Sequence, residues 1–218
     1  MSIRARYERE LRGIFDNLVL MCRHIETVIE KCVRSLAERD HELAKEVFEE
    51  DKQIDRLERE IEHSCLSILV MEHPVASDFR EVSAALKMIT DLERIGDQAR
   101  DIAEIATQLG DGEYIKQLVH IPQMAVIVIA MVKDGVQAYI NRDLALARSL
   151  DRTDDKVDEL FNVVMSDLTA LIKKNPDDAE QAVMFMMITK YLERIGDHAV
   201  NIGEWVEYAI TGNHPGPI

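Results

Sequence analysis

The sequence contains an internal repeat, and this repeat constrains the fold more than any other feature. Residues 92–97 read LERIGD, and the same six letters recur at residues 192–197, an offset of 100. A repeat unit of this length is far longer than one unit of a helical solenoid. We therefore expect a duplicated unit, with residues 1–110 forming the first copy and residues 111–218 the second.

Residues that interrupt helices are scarce, which narrows the fold class. The 218 residues include nine Gly and five Pro, whereas an all-β sandwich or barrel needs a turn about every 8 to 12 residues. Pro74 and Pro176 each separate two helical patterns. We predict Ser77-Asp78 and Asn175 through Asp178 as caps of the helices that follow. Helical periodicity predicts six helices, over residues 4–38, 40–71, 76–108, 121–140, 142–173 and 177–210.

The predicted fold class is therefore all-α, with two tandem, pseudo-symmetric three-helix bundles. Gly110-Asp111-Gly112 is the best candidate for the linker between them. Such bundles bury the apolar stripe of each helix against its two neighbours.

The charge balance excludes several classes of function. With 26 Lys and Arg against 41 Asp and Glu, the net charge is −15, which disfavours nucleic acids and anionic membrane surfaces and suits cations or basic partner surfaces. The longest apolar run, residues 124–132, is shorter than the roughly 20 residues of a membrane span. The charged amino terminus has no apolar segment typical of a signal peptide. We expect a cytoplasmic protein without direct membrane insertion, whose three cysteines are buried, unpaired thiols.

Acidic residues recur at helical spacing on the second and third helix of each unit. A helical wheel places Glu93, Asp97 and Asp101 on a ridge beside the apolar face of the third helix. Asp51 and Asp55 form a similar ridge on the second helix, which Glu58 and Glu62 extend. In the second unit the corresponding residues are Glu193, Asp197 and Asn201 on the third helix and Asp154 and Asp158 on the second, with Phe161 and Met165 in place of the two glutamates.

Like charges four residues apart destabilise an isolated helix by about 0.2–0.5 kcal/mol per pair. A hard cation held by carboxylate oxygens is the simplest compensation, which points to magnesium, manganese, calcium or iron. A solvated acidic face, aided by Arg94 and Arg194, is the alternative. His198 is a further possible ligand, although a lone histidine is more often a surface residue.

Gly96 and Gly196 lie inside predicted helices, where glycine costs about 1 kcal/mol relative to alanine. We expect tight helix packing at these positions, with close approach of a ligand as the alternative.

The paired LERIGD segments, the acidic steps at Asp51 and Asp154, and the stretch from Pro74 to Arg80 resemble the PhoU family over essentially the whole chain. The resemblance implies a usually dimeric cytoplasmic protein that limits phosphate import. It also implies that the protein signals phosphate sufficiency to a sensor histidine kinase, in association with the ATPase subunit of a phosphate ABC transporter. Some family members carry iron or zinc clusters, or bind magnesium or manganese, on these acidic motifs.

The ligand set that the resemblance implies, extended by the residues one turn further along the third helices, is Asp51, Asp55, Glu93, Asp97 and Asp101 in the first unit and Asp154, Asp158, Glu193, Asp197 and Asn201 in the second.

Three functions remain open at this point. The first is a regulatory adaptor without enzymatic activity that binds metal on its acidic ridges. The second is a carboxylate-bridged di-metal enzyme, although such enzymes typically use ExxH pairs and none lies on these ridges. The third is a helical scaffold with solvated acids. The absence of a nucleophile motif or a phosphate-binding glycine loop favours a protein that is not an enzyme.

Overall fold

The computed structural model describes residues 3–110 and 112–213, and this part of the chain is built from long α-helices without a strand. A short 3-10 helix, Pro176–Asp178, precedes the last of them. The predicted all-α class is confirmed, and each of the six helices begins and ends within two residues of its expected position. In chain order the helices are α1 (Ile3–Glu38), α2 (His41–Met71), α3 (Ser77–Gln108), α4 (His120–Asn141), α5 (Leu144–Lys174) and α6 (Ala179–Thr211).

The helices form two three-helix bundles, α1 to α3 and α4 to α6. Short connections make successive helices within each bundle antiparallel. The bundles pack against each other mainly through α3 and α6, and α1 also contacts α4, so that one apolar core runs through both units. Residue 111, at which the second unit is predicted to begin, lies outside the described residues, and the boundary between the units stays a prediction.

The helices form where the sequence combines an apolar stripe with local stop and start signals. In α1 the fully buried residues Ile14, Leu18, Met21 and Ile25 follow the three- and four-residue spacing of one helix face. Asp40 begins α2 by accepting hydrogen bonds from the backbone N–H groups two and three residues later, both at 3.0 Å. This combination explains why the helix bounds could be predicted closely.

The predicted caps of the third helices differ from the structure. The residue preceding α3 is Ala76, with a left-handed φ of 49° and no capping side chain. Ser77 is therefore already helical, and Asp78 accepts a hydrogen bond from Arg4 of α1 at 2.6 Å. The prediction for α3 is wrong because a cation on another helix binds the carboxylate. Asn175 does accept from the backbone N–H of Asp177, at 3.4 Å, but it caps the short 3-10 helix and not α6.

Helix α4 is the one helix in the described residues whose length and composition would suffice to cross a membrane. Half of its most apolar 18-residue window is buried within the protein, where α4 contacts α1, α5 and α6. Cys22, Cys32 and Cys65 are free and buried, as expected.

Candidate metal centre

The first acidic cluster, defined as Asp51, Asp55, Glu93 and Asp97, lies where α2 crosses α3. Gly96 of α3 makes this crossing possible. A Cβ atom at this position would lie 3.0 Å from both Asp51 Oδ1 and Ile54 Cδ1. The mid-helix glycine therefore serves close helix packing, as expected, and it also brings the buried Asp51 carboxylate against the backbone of the LERIGD motif.

A guanidinium group lies inside this first cluster. Arg100 Nη1 donates to Asp51 Oδ2 at 3.0 Å and lies 2.8 Å from Asp97 Oδ1. Its other terminal nitrogen lies 3.9 Å from Asp101 Oδ1. Burial raises the pKa of Asp51, and the positive charge of Arg100 acts against this rise. Arg100 thus provides positive charge where the sequence had suggested a metal ion.

The second acidic cluster, defined as Asp154, Asp158, Glu193 and Asp197, occupies the equivalent crossing of α5 and α6. A Cβ atom on Gly196 would clash with Asp154 Oδ1, and it would also touch Val157. The two glycines of the repeated motif therefore have the same function in both units, since each forms the space that one aspartate fills. Glu193 is paired with Lys190, one turn earlier on α6.

Asp154 differs from its counterpart Asp51 because no group neutralises it. Its Oδ1 atom is buried and has no hydrogen-bond partner. Burial, followed by the negative charges of Asp197, Asp158 and Glu193, raises the pKa of Asp154 to about 7. A carboxylate in these surroundings is poised either to hold a proton or to bind a cation.

Two further acids are perturbed in the same direction as Asp51, namely Glu93 of the first cluster and Glu58, which lies one turn after Asp55. Burial and the charge of Asp97 raise the pKa of Glu93. Burial and the charges of Glu62 and Asp55 raise the pKa of Glu58. The predicted acidic ridge is therefore a region of mutual repulsion, which Arg94 relieves from the solvent side through its contact with Asp97 at 3.1 Å.

Asp101 and Asn201 belong to the contact between the two bundles. Tyr191 of α6 faces Asp101 of α3, and burial followed by the negative charge of Asp101 raises the pKa of the Tyr191 hydroxyl. At the symmetry-related position, Asn201 Nδ2 donates to Asp91 Oδ1 at 3.2 Å. Both residues therefore lie where α3 packs against antiparallel α6, outside the two four-residue clusters defined above, and their role as metal ligands stays a prediction.

His198 also lies at this contact between the bundles. Its Nδ1 atom is 2.9 Å from Asp91 Oδ1, and the side chain is mostly buried. The expectation of a surface histidine is therefore wrong. A helical wheel drawn for one unit could not reveal this contact, because the partner belongs to the other unit.

The residues of the second cluster fit a hard divalent cation. Asp154 contributes a buried oxygen without a partner, the Gly196 position leaves room for it, and the donors are all carboxylates. Within residues 3–110 and 112–213, no three His, Cys, Asp or Glu side chains already converge at metal-binding distances. Asp158 and Asp197 are exposed, so a bound cation would draw them together by rotation about their side-chain bonds.

Sequence reasoning missed the role of Arg100, although a signal was present. Arg100 lies three residues after Asp97, on the same helix face, and the aligned position in the second unit is Val200. Comparison of the two repeat copies position by position would have identified this loss of a positive charge.

Comparisons with known proteins agree with the duplicated architecture. A family model described as PhoU domain matches residues 18–106 and again residues 121–206. The phosphate-specific transport system accessory protein PhoU homolog of Clostridium acetobutylicum is 33% identical over 207 residues, which are 94% of each chain. The corresponding homolog of Pseudomonas putida is 34% identical over 96% of this chain and 82% of its own.

Two solved structures share the fold. The crystal structure of PhoU from Pseudomonas aeruginosa superposes with a TM-score of 0.90 at 33% identity, covering 95% of this chain and all of that one. The phosphate transport system regulatory protein PhoU from Streptococcus pneumoniae superposes with a TM-score of 0.89 at 24% identity, covering 97% of this chain and all of that one. The second similarity concerns the fold alone.

Proposed function

This chain belongs to the PhoU family, and from that premise we propose that it is an accessory protein of a phosphate-specific transport system. Its function is to limit phosphate import when phosphate is sufficient and to relay that state to the phosphate-starvation response. The observation that carries the proposal is the match of both repeat units to the PhoU domain, together with identity of about one third to accessory proteins of phosphate transport along nearly the whole chain.

The proposed mode of action is binding without catalytic turnover. The protein acts in the cytoplasm as an adaptor between the ATPase subunit of a phosphate ABC transporter and a sensor histidine kinase, and it forms a homodimer. Long, largely charged helix faces support this role, because they present extended surfaces to partner proteins.

Metal binding on the acidic clusters is the second part of the proposal. The donor set favours a divalent metal such as manganese, magnesium or iron over a structural zinc site, which would use Cys and His ligands. The orphaned oxygen of Asp154 supports it. A bound metal would supply positive charge that offsets the repulsion between these carboxylates. The residues Asp154, Asp158, Glu193 and Asp197 would hold it.

Phosphate uptake in living cells tests the regulatory role. Deleting the gene from its host should raise uptake of labelled phosphate and activate a starvation reporter in phosphate-rich medium, and the intact gene should reverse both changes. Unchanged uptake and reporter activity in the deletion strain would contradict the proposal. Pull-down of the purified ATPase subunit and of the kinase's cytoplasmic part tests the two partners separately.

A matched pair of variants tests the contribution of metal. Asp154→Asn removes the negative charge of a half-buried carboxylate whose Oδ1 atom lacks a partner. Asp155→Asn neutralises the adjacent acid, which is exposed. If metal is needed for regulation, only the first variant should fail to restore control of uptake. If both variants restore control of uptake equally, regulation does not depend on metal bound at Asp154.

A further inference from the structure

The two units of this duplicated protein differ at the equivalent helix crossings where the two acidic clusters lie. In the first unit, the Arg100 guanidinium is within 3.0 Å of oxygens of both Asp51 and Asp97. The aspartates come from α2 and α3, so this side chain joins the two helices that a metal would otherwise join. An arginine cannot lose its charge at physiological pH, and its planar group suits simultaneous contact with two carboxylates.

In the second unit the aligned residue is Val200, which has no charge and is too short to reach across the crossing. Val200 lines a cavity of about 240 Å³ between α5 and α6, together with Asp151 and Glu204. The only arginine on this cavity, Arg148, contacts Glu207 through two nitrogens, at 2.6 Å and 3.0 Å. The cavity lies beside the second cluster without being lined by its four acids, and its arginine pairs with Glu207 and not with Asp154.

We propose that Arg100 is a built-in counterion that takes the place of metal in the first cluster, so that the chain binds a divalent cation only at the second cluster, where Val200 leaves Asp154 without a partner. This inference deepens the proposed function and rests on its metal-binding part.

Charge and geometry together give the reason. A divalent ion entering the first cluster would have to share Asp51 and Asp97 with a fixed positive charge, or displace that charge from a buried carboxylate. Both routes cost free energy, since like charges repel at these distances and separating a buried ion pair leaves one member unpaired. In the second cluster the fixed positive charge, Lys190, pairs with Glu193 and not with Asp154, so an entering cation satisfies the Asp154 oxygen that lacks a partner without displacing a charge from it.

Exchange of the two residues between the units is the most direct experiment. The full-length protein is stripped of metal with a chelator and equilibrated with MnCl₂, and bound manganese per chain is measured by elemental analysis. Arg100→Val should about double the manganese bound by the wild-type protein, because a second equivalent cluster becomes available. Val200→Arg should abolish binding. Unchanged stoichiometry in both variants would overturn the inference.

Two control variants test whether the positive charge of Arg100, and not the loss of any arginine near Asp97, keeps metal out of the first cluster. Arg100→Lys keeps a positive charge on the side chain and should leave the manganese stoichiometry at the wild-type value. Arg94→Val removes an exposed arginine that contacts the same Asp97, and it should open no site. Should Arg100→Val fail to fold, Val200→Arg together with the aspartate variants below decides the outcome. Extra manganese in Arg94→Val would contradict the special role of Arg100.

The aspartate variants locate the metal and distinguish the two levels of the proposal. If the inference holds, Asp154→Asn abolishes manganese binding to the wild-type protein and Asp51→Asn does not. If Asp51→Asn alone abolishes it, or if both halve it, metal binding stands but the assignment to the second cluster falls. If the wild-type protein binds no manganese at all, both this inference and the metal part of the proposed function are overturned.

Discussion

Neutralising Asp154 should stabilise the metal-free protein, although the first unit has an aspartate, Asp51, at the equivalent position. The side chain contributes a buried oxygen without a partner and lies among three other carboxylates of its cluster. Asp154→Asn keeps the size of the side chain, removes the charge and supplies an amide that can donate to a neighbouring carboxylate. We therefore expect the free energy of unfolding to rise in the presence of a chelator.

The magnitude follows from the pKa of about 7 in the folded protein, against an ordinary value of 3.8. A tenfold difference in proton affinity corresponds to about 1.4 kcal/mol, which sets a ceiling of about 4 kcal/mol above neutral pH. Because water reaches part of the side chain, we expect a gain of roughly 2 kcal/mol at about pH 8.

The sign of the pH dependence is defined by the same shift. The folded state holds the Asp154 proton more tightly than the unfolded state does, so this group stabilises the fold at low pH. Its contribution is lost as the pH rises from the ordinary value through about 7. The advantage of Asp154→Asn should therefore be small near pH 4 and reach its full size near pH 8.

Urea unfolding followed by far-ultraviolet circular dichroism, at several pH values and with chelator present, measures this difference. Asp51→Asn is the matched control, because it makes the same change where Arg100 donates to the aspartate at 3.0 Å. Because Arg100 offsets part of the burial that raises the pKa of Asp51, Asp51→Asn should gain clearly less stability than Asp154→Asn at high pH. Parallel pH curves for Asp154→Asn and wild type, or a less stable Asp154→Asn protein at high pH, would refute the reasoning.

Three further predictions concern the same architecture. Gly196→Ala should eliminate the thermal stabilisation by MnCl₂, because the new methyl group displaces Asp154. The higher helix propensity of alanine contributes about 1 kcal/mol and limits the loss of fold stability. Metal-dependent melting equal to that of the wild type would argue against this. Tyr139→Phe should cost about 1–2 kcal/mol in urea unfolding, because the buried Tyr139 hydroxyl donates to the Glu81 carbonyl at 2.7 Å, and an unaffected midpoint would show that the bond contributes nothing. Chelation of the manganese-loaded wild-type protein should lower its melting temperature, because bound metal stabilises the folded state by mass action. Identical melting curves with and without chelator would instead favour a solvated acidic face that binds no metal.

The helices were predictable because each carries its own signals. The apolar spacing of Ile14, Leu18 and Met21 fixes a buried face without knowledge of any partner. Proline and the sparse glycines mark where that spacing stops. The acidic clusters were predictable for a related reason, since the four-residue step from Asp51 to Asp55 needs only helix geometry to place both acids on one face.

Contacts between helices were harder to predict, because periodicity does not specify which partner faces a residue. Arg100 could not be assigned to Asp51 until the rotation of α3 against α2 was known. Asp101 and Asn201 share the ridge on a wheel, yet the packing of α3 against α6 engages them with Tyr191 and Asp91 instead. Asp78 likewise binds Arg4 of another helix and does not cap its own.

The position of bound manganese in the crystal tests the central claim most directly, namely that duplication produced one open and one internally neutralised acidic crossing. Crystals of the intact protein grown with MnCl₂ should show an anomalous scattering peak about 2.0–2.3 Å from a carboxylate oxygen of Asp154. No peak should lie between Asp51 and Asp97, where Arg100 remains in contact with both. A peak beside Asp51 with Arg100 displaced, or equal peaks in the two units, would contradict the account.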